Sequence, residues 1–179
     1  MDIIATHYAP RLWETICRRD GLGPRTFNSD MQHFYREASK VISQETLKLM
    51  GSGSSGNCIQ YNKHWSVKAA NIARQLLAAG KTPAQIAAAR TPCGHIQFIV
   101  EHEYPVQAFI SKALNGDFHS ALEVEAYLRQ YAIIVIITYE ENLTLPQTSR
   151  NLEHAAARYP TANIEKIRFN LHNEDKRKT

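Results

Sequence analysis

The segment Ala132–Thr138 constrains the fold more than any other part of this sequence. It is a continuous apolar run, rich in isoleucine and valine, that ends at a threonine. β-Branched side chains pack well on a pleated sheet, and an unbroken apolar run indicates a strand that is covered on both faces. The run is far shorter than the roughly 20 residues that a transmembrane helix needs. The sequence therefore predicts a central strand in a protein that does not cross a membrane.

Most of the remaining sequence has the three- and four-residue periodicity of amphipathic helices. Two further segments have strand character, His95–Glu103 by its alternating pattern and Ile164–Leu171 more weakly. A few strands among many helices are typical of an α+β fold, and 179 residues suit one domain. We predict a mostly helical α+β single domain over residues 1–179, with a small sheet of about three strands.

Residues 51–56, Gly-Ser-Gly-Ser-Ser-Gly, differ in composition from the sequence on either side. They contain three of the eight glycines of the chain. Segments of this composition behave as flexible linkers, and six residues span at most roughly 20 Å. We interpret residues 51–56 as an engineered linker that replaces a natural loop. The replaced loop is then a candidate carrier of part of the function.

Composition and missing motifs exclude several classes of protein. Cys17, Cys58 and Cys93 are widely spaced, which argues against a disulfide framework or a structural zinc site and favours a cytoplasmic protein. Outside residues 51–56 there is no phosphate-binding glycine loop, no G-x-S-x-G and no H-E-x-x-H. Nucleotide hydrolysis by a P-loop, dinucleotide redox chemistry and the common serine or zinc hydrolases are therefore unsupported. The formal charge of +4 and the pI near 9.0 are compatible with a nucleic-acid partner.

Acidic side chains follow two of the predicted strands. Glu101, His102 and Glu103 end the alternating strand, and Glu140 and Glu141 follow the central strand. A helical crossover between these strands predicts parallel neighbours, whose carboxyl ends lie together. Carboxylates are ligands for Mg²⁺ or Mn²⁺, and an imidazole can serve as a general base.

One hypothesis is therefore a divalent-metal phosphodiesterase site. Its ion ligands would be Glu101, Glu140 and Glu141, with His102 as the base and Glu103 as a further catalytic carboxylate. The alternative is that the acidic residues mark where two strands emerge into solvent and that His102 is a core histidine. Strand alternation supports this alternative, because it places His102 on the opposite face from Glu101 and Glu103.

Cys93-Gly94, Glu101-His102 and Pro105 resemble the opening of an HNH-type nuclease motif, in which an acidic–histidine pair precedes a proline. The resemblance covers about a dozen residues and implies a metal-dependent nuclease. The sequence departs from the motif after Pro105, where a helix is predicted to begin directly. No asparagine and histidine follow at the spacing of the motif's hairpin and helix, so the family is not assigned.

A second group of residues suggests non-catalytic binding of nucleic acid. Basic and aromatic side chains alternate just after residue 62, and such side chains can hold phosphates and stack on bases. The predicted nucleic-acid contacts are Lys63, His64, Lys68 and Arg150. Trp65, which stands among them, is alternatively a core residue at a helix entry. Ile72–Ala89 has the outline of a helix-turn-helix, although its alanine-rich second helix fits a packed core better.

The sequence thus favours a nucleic-acid-associated protein, with a divalent-metal-dependent nuclease as one hypothesis. The alternative is a non-catalytic module that binds DNA, RNA or protein and that lost part of its function with the replaced loop. A protein partner or a homo-oligomer is compatible with either reading. Mg²⁺ or Mn²⁺ is expected only for the nuclease.

Overall fold

The computed structural model describes residues 2–44, 55–146 and 152–176. Helices dominate these residues and one small mixed sheet accompanies them, which confirms the predicted α+β class. Residues 51–54 of the predicted linker lie outside the described residues, whereas Ser55 and Gly56 begin a helix. In the described part of the chain, no helix has both the length and the apolar character needed to span a bilayer.

The helices and strands alternate irregularly along the chain. The strands are β1 His64–Ser66, β2 Phe98–His102, β3 Ile134–Thr138 and β4 Lys166–Arg168. A π-helical turn, Ile4–Tyr8, precedes α1, and a 3-10 turn, Arg19–Gly21, follows it. The helices are α1 Ala9–Cys17, α2 Pro24–Ser43, α3 Ser55–Tyr61, α4 Val67–Ala78, α5 Pro83–Ala87, α6 Val106–Leu114, α7 Ala121–Tyr131, α8 Tyr139–Thr144, α9 Leu152–Thr161 and α10 Leu171–Lys176.

Local capping chemistry determines where several helices begin. The Ser66 hydroxyl accepts a hydrogen bond from the Ala69 N–H at the start of α4. Thr82 and Gln85 form a reciprocal capping box around α5, in which Pro83 occupies the first helical position. Serine and threonine favour these positions because their oxygens satisfy N–H groups that have no partner inside the helix.

The chain divides into two compact units, and the first comprises residues 1–42, 102–133 and 147–157. Its core is a packed aromatic group centred on the fully buried Phe109. The ring centroid of Phe109 lies 5.0 Å from that of Tyr35, 5.3 Å from Tyr127 and 5.4 Å from Phe118. The Tyr35 hydroxyl donates to the Tyr131 carbonyl over 3.2 Å, which satisfies a polar group inside this core.

The second unit comprises residues 43–101, 134–146 and 158–179 and contains the sheet apart from the last residue of β2. The strand order is β2-β3-β1-β4. β1 and β3 are parallel with Trp65 opposite Ile136, whereas β1 and β4 are antiparallel. Every residue of β3 is buried, which confirms the prediction of a central strand. The single-domain prediction for residues 1–179 stays a prediction.

The expectation that β2 and β3 are parallel was wrong. The N–H of Tyr139, after β3, donates to the carbonyl of Gln97, before β2, and the N–H of Glu103, after β2, donates to the carbonyl of Ile133, before β3. The two strands are therefore antiparallel. The physical reason is the connection between the strands. Two helices, α6 and α7, link the end of β2 to the start of β3, so the chain enters β3 at the same end of the sheet at which it left β2.

Trp65 anchors the core of the second unit. Its side chain is completely buried, and its ring meets Phe98 and Phe169 edge to face, with centroids 5.5 and 5.1 Å away. The indole N–H donates to the Asn62 carbonyl over 3.1 Å. Trp65 therefore belongs to the core, as the alternative interpretation of the sequence held, and does not provide a surface for stacking bases.

Two side chains hold both backbone groups of Ile134, the first residue of β3. The Ile134 N–H donates to Ser43 Oγ over 2.7 Å, and its carbonyl accepts from Asn62 Nδ2 over 3.1 Å. The carboxamide oxygen of Asn62 also accepts from the His64 N–H over 2.7 Å. Because Asn62 is 1% exposed, water cannot replace these bonds if the side chain is removed.

Replacing Asn62 with alanine should lower the free energy of unfolding by about 2–3 kcal/mol, because a buried carbonyl and a backbone N–H lose their partners. Urea denaturation followed by circular dichroism measures this loss. The control is Asn71→Ala, at an exposed position of α4, which should change stability by no more than about 0.5 kcal/mol. Equal effects of the two substitutions would contradict the bridging role of Asn62.

Candidate functional site

An open groove of about 720 Å³ lies at the carboxyl ends of the parallel strands β1 and β3. One face of α4, the helix α8 and the segment before β4 line it. Ligands commonly bind at the carboxyl ends of parallel strands in mixed folds. The groove brings together three predicted site residues, Lys68, Glu140 and Glu141.

The groove has an acidic character. Three carboxylates, those of Glu140, Glu141 and Glu165, line it together with the single ammonium group of Lys68. The Lys68 Nζ lies 3.9 Å from a Glu140 oxygen, and both side chains are about half exposed. Without a bound cation, this excess of negative charge repels phosphates, so a phosphodiester would need a divalent ion between it and the groove.

The Glu141 carboxylate joins the beginnings of two helices. One of its oxygens accepts from the Thr138 N–H over 2.8 Å and from the Ser66 hydroxyl over 2.7 Å. Thr138 in turn accepts from the Glu141 N–H, which completes a capping box at α8. Ser66 is the N-cap of α4, so one carboxylate couples the caps of both helices. The contacts of Glu141 are thus those of a structural residue.

Glu101 is engaged by a buried arginine. Its carboxylate lies 2.8 Å from Nη2 of Arg158, whose Nε donates to the Pro146 carbonyl over 3.1 Å. Arg158 is 6% exposed, so the Glu101 carboxylate compensates a positive charge that lies largely out of water. Removing one partner of a buried ion pair is strongly destabilising, which gives Glu101 a structural role irrespective of any catalysis.

The structure does not bring Glu101 to Glu140. The Tyr139 N–H donates a hydrogen bond to the Gln97 carbonyl, just before β2. Glu140, the next residue after Tyr139, therefore lies near the beginning of β2. Glu101 lies four residues further along that strand, roughly 13 Å away at 3.3 Å per residue. Among the described residues there is no group of three or more histidine, cysteine, aspartate or glutamate side chains that could hold a metal ion.

His102 and Glu103, the other predicted catalytic residues, belong to the first unit. The His102 ring lies 5.9 Å from the ring of the buried Tyr35, centroid to centroid. The Glu103 backbone extends the antiparallel pairing through Ile133. Both side chains are half-buried. The contacts of His102 are those of a histidine at the edge of a core, and its catalytic role stays a prediction.

Two of the predicted nucleic-acid contacts, Lys63 and His64, lie in a cluster of basic side chains at the beginning of β1 and on β4. His64 pairs directly with Arg168, and Ser66 pairs with Lys166. Lys166 and Arg168 are exposed, while Lys63 and His64 are half-buried. We name Lys63, His64, Lys166 and Arg168 the basic edge. The remaining predicted contact, Arg150, lies outside the described residues.

The basic edge has a measurable electrostatic consequence at His64. Burial lowers the pKa of this imidazole from 6.5 to about 4, and the positive charges of Lys63, Lys166 and Arg168 contribute in the same direction. A histidine surrounded by cations is therefore neutral at physiological pH. Burial is the main cause of this low pKa, and the three cations add to it.

The sequence analysis missed Lys166 and Arg168. The signal was present in Lys166-Ile167-Arg168, where two basic residues flank an apolar one at the two-residue period of a strand. Their proximity to His64 was not visible, because roughly a hundred residues separate β1 from β4.

Comparisons of this chain with protein-family models, with curated proteins and with solved structures found no match.

Replacing Glu141 with alanine should lower the free energy of unfolding by about 1–3 kcal/mol, because two helix caps lose a shared acceptor. Glu140→Ala is the matched control, since it removes an adjacent carboxylate from the same helix turn but only a long, exposed ion pair. Thermal and urea unfolding of the two variants measure the difference. A larger loss in Glu140→Ala than in Glu141→Ala would refute the capping role.

The low pKa of His64 should make stability depend on pH between 6.5 and about 4. In this window the unfolded state binds a proton that the folded state excludes, so the free energy of unfolding falls as the pH is lowered. Because His64 is only half-buried, solvent screening limits the loss to about 1–2 kcal/mol. Urea unfolding at a series of pH values should show a flatter profile for His64→Gln, but not for His33→Gln at an exposed position of α2. Identical profiles for His64→Gln and the unsubstituted protein would exclude His64 as the cause.

Proposed function

We propose that this protein is a nucleic-acid-binding protein that is not a catalyst and that holds the phosphate backbone with its basic edge. The observation that carries the proposal is the direct pairing of β1 with β4, which places His64 beside Arg168 and Ser66 beside Lys166, with Lys63 immediately before β1. Arginine and lysine side chains on a protein surface are the usual partners of phosphates. The formal charge of +4 adds a general attraction for a polyanion.

The spacing of the exposed cations supports contact with more than one phosphate. Lys166 and Arg168 are two residues apart on one strand, which places their side chains on the same face at a separation of roughly 7 Å. Half-buried Lys63 and His64 flank them on the neighbouring strand. A strand edge of this kind contacts the backbone without reading base edges, so we expect binding with little sequence preference.

Two of the carboxylates predicted for catalysis already have partners within the protein, which favours binding of nucleic acid over its cleavage. Glu101 compensates the buried charge of Arg158, and Glu141 accepts from Thr138 and Ser66. A Mg²⁺ or Mn²⁺ ion would have to compete with these contacts for both carboxylates. The acidic groove in which Glu140 lies is also unfavourable for a phosphodiester.

The protein should bind fluorescently labelled DNA or RNA with an affinity that falls as salt rises. With about three phosphate contacts, the logarithm of the binding constant should fall with the logarithm of salt concentration with a slope of about −2 to −3. The double variant Lys166→Ala, Arg168→Ala should reduce the magnitude of that slope by about 1–2. Fluorescence anisotropy with single- and double-stranded oligonucleotides measures both quantities.

The matched control is the double variant Arg11→Ala, Arg36→Ala, which removes the same total charge at exposed positions of α1 and α2. It should leave the slope unchanged if the basic edge makes the contacts. An equal decrease of the salt slope in the two double variants would show that the overall charge of the protein, and not the basic edge, is responsible for binding. Salt-independent binding, or no binding at low salt, would refute the proposal.

The same complexes decide between binding and cleavage when Mg²⁺ or Mn²⁺ is added. An oligonucleotide that stays intact supports the proposal. Cleavage that disappears in Glu140→Gln and His102→Ala would instead establish the nuclease. Glu101→Gln is a poor test by itself, because the variant also removes the partner of buried Arg158.

A further inference from the structure

The first unit contains a cavity of about 360 Å³ that neither the basic edge nor the acidic groove includes. It lies at the 3-10 turn after α1, the beginning of α2 and the end of α6. Small-molecule sites usually measure roughly 300–1,000 Å³ and combine apolar walls with a few polar groups. This cavity has both, with Leu22, Pro24, Phe27 and Leu114 as apolar lining and Arg19, Asp20 and Asn28 as polar lining.

Arg19 is held in place at the end of α6. Its Nη1 donates to the carbonyls of Ala113 and Leu114 over 3.3 and 3.2 Å, and these are among the last carbonyls of the helix. The negative end of a helix favours a cation, so these bonds position the guanidinium group before any ligand arrives. A guanidinium that is already oriented loses little entropy when it binds a second partner.

On the other edge of the same guanidinium, the Nε–H and Nη2–H groups can donate hydrogen bonds to a ligand. In the described part of the chain no hydrogen bond engages Nη2 of Arg19. Its Nε only approaches the Asp20 carboxylate, at 3.6 Å, and that side chain is 96% exposed. The Nε and Nη2 donors form the side-on edge that pairs with a carboxylate through two parallel hydrogen bonds.

The apolar lining complements this charge. Leu114 is 52% exposed although it is a large hydrophobic residue, and Phe27, which also lines the cavity, is buried. A ligand with an apolar body would remove the Leu114 surface from water, which is favourable in proportion to the area covered. The cavity therefore offers one guanidinium group, beside the exposed carboxylate of Asp20, and one apolar wall.

We propose that this cavity binds a small monocarboxylic acid, with its carboxylate on Arg19 and its apolar body against Leu22, Phe27 and Leu114. The Arg19 guanidinium selects a carboxylate, and the apolar wall selects a hydrocarbon chain or ring beside it. None of the residues of the basic edge lines this cavity.

Titration of the full-length chain with hexanoate tests the site, with hexanamide as the uncharged ligand of the same shape. Amide resonances of residues 19–28 and 113–114 in NMR spectra should shift and saturate with hexanoate, and hexanamide should bind at least about tenfold more weakly. Arg19→Gln should weaken hexanoate binding by a similar factor. Arg18→Gln is the control, because Arg18 is the adjacent arginine but pairs with Glu14 at the surface.

A second variant keeps the test decisive if Arg19→Gln fails to fold. Leu114→Ser alters a half-exposed side chain and should fold, yet it should weaken hexanoate binding several-fold by removing part of the apolar wall. Equal affinity for hexanoate and hexanamide would overturn the proposal. Shifts that do not saturate, or an equal loss in Arg18→Gln, would overturn it as well and leave Arg19 as a helix cap only.

Discussion

The arrangement of the sheet depends on how the first residue of β3 is held. Ser43 and Asn62 satisfy the two backbone groups of Ile134 with side-chain hydrogen bonds. A strand that slipped by one residue would lose both bonds and turn its buried side chains to the opposite face. With β3 fixed, the pairing of Trp65 with Ile136 places β1, and β1 then places β4. The acidic groove and the basic edge both derive their positions from this chain of pairings.

Charges of opposite sign are sorted within the second unit. Carboxylates line the groove at the carboxyl ends of β1 and β3, whereas the cations Lys63, Lys166 and Arg168 lie just before β1 and on β4. The burial of His64 among these cations lowers its pKa to about 4, which keeps one more positive charge from accumulating there at neutral pH. On the proposed function, a polyanion binds at the basic edge and not in the groove that holds two of the three predicted ion ligands.

Much of the fold was predictable from residues that act locally, but the candidate site was predictable only in part. The apolar run of β3 acts within a few residues and appears in the structure as expected, and the cap at Ser66 is equally local. The sequence Thr138-x-x-Glu141 also carries a local signal, that of a capping box, although we interpreted Glu141 as an ion ligand. Arg158 could not be recognised as the partner of Glu101, because 57 residues separate them and many exposed carboxylates would have served as well.

The sequence by itself determined the class of the fold, the central strand and the chemistry of the helix ends, because periodicity and capping depend on neighbouring residues. Tertiary structure decided the direction of β2 relative to β3 and the meeting of His64 with Arg168. It also decided the anchoring of Arg19 on the carbonyls of α6. Each of these outcomes joins segments that are distant along the chain, and which distant segments meet depends on how the whole chain buries its apolar surface.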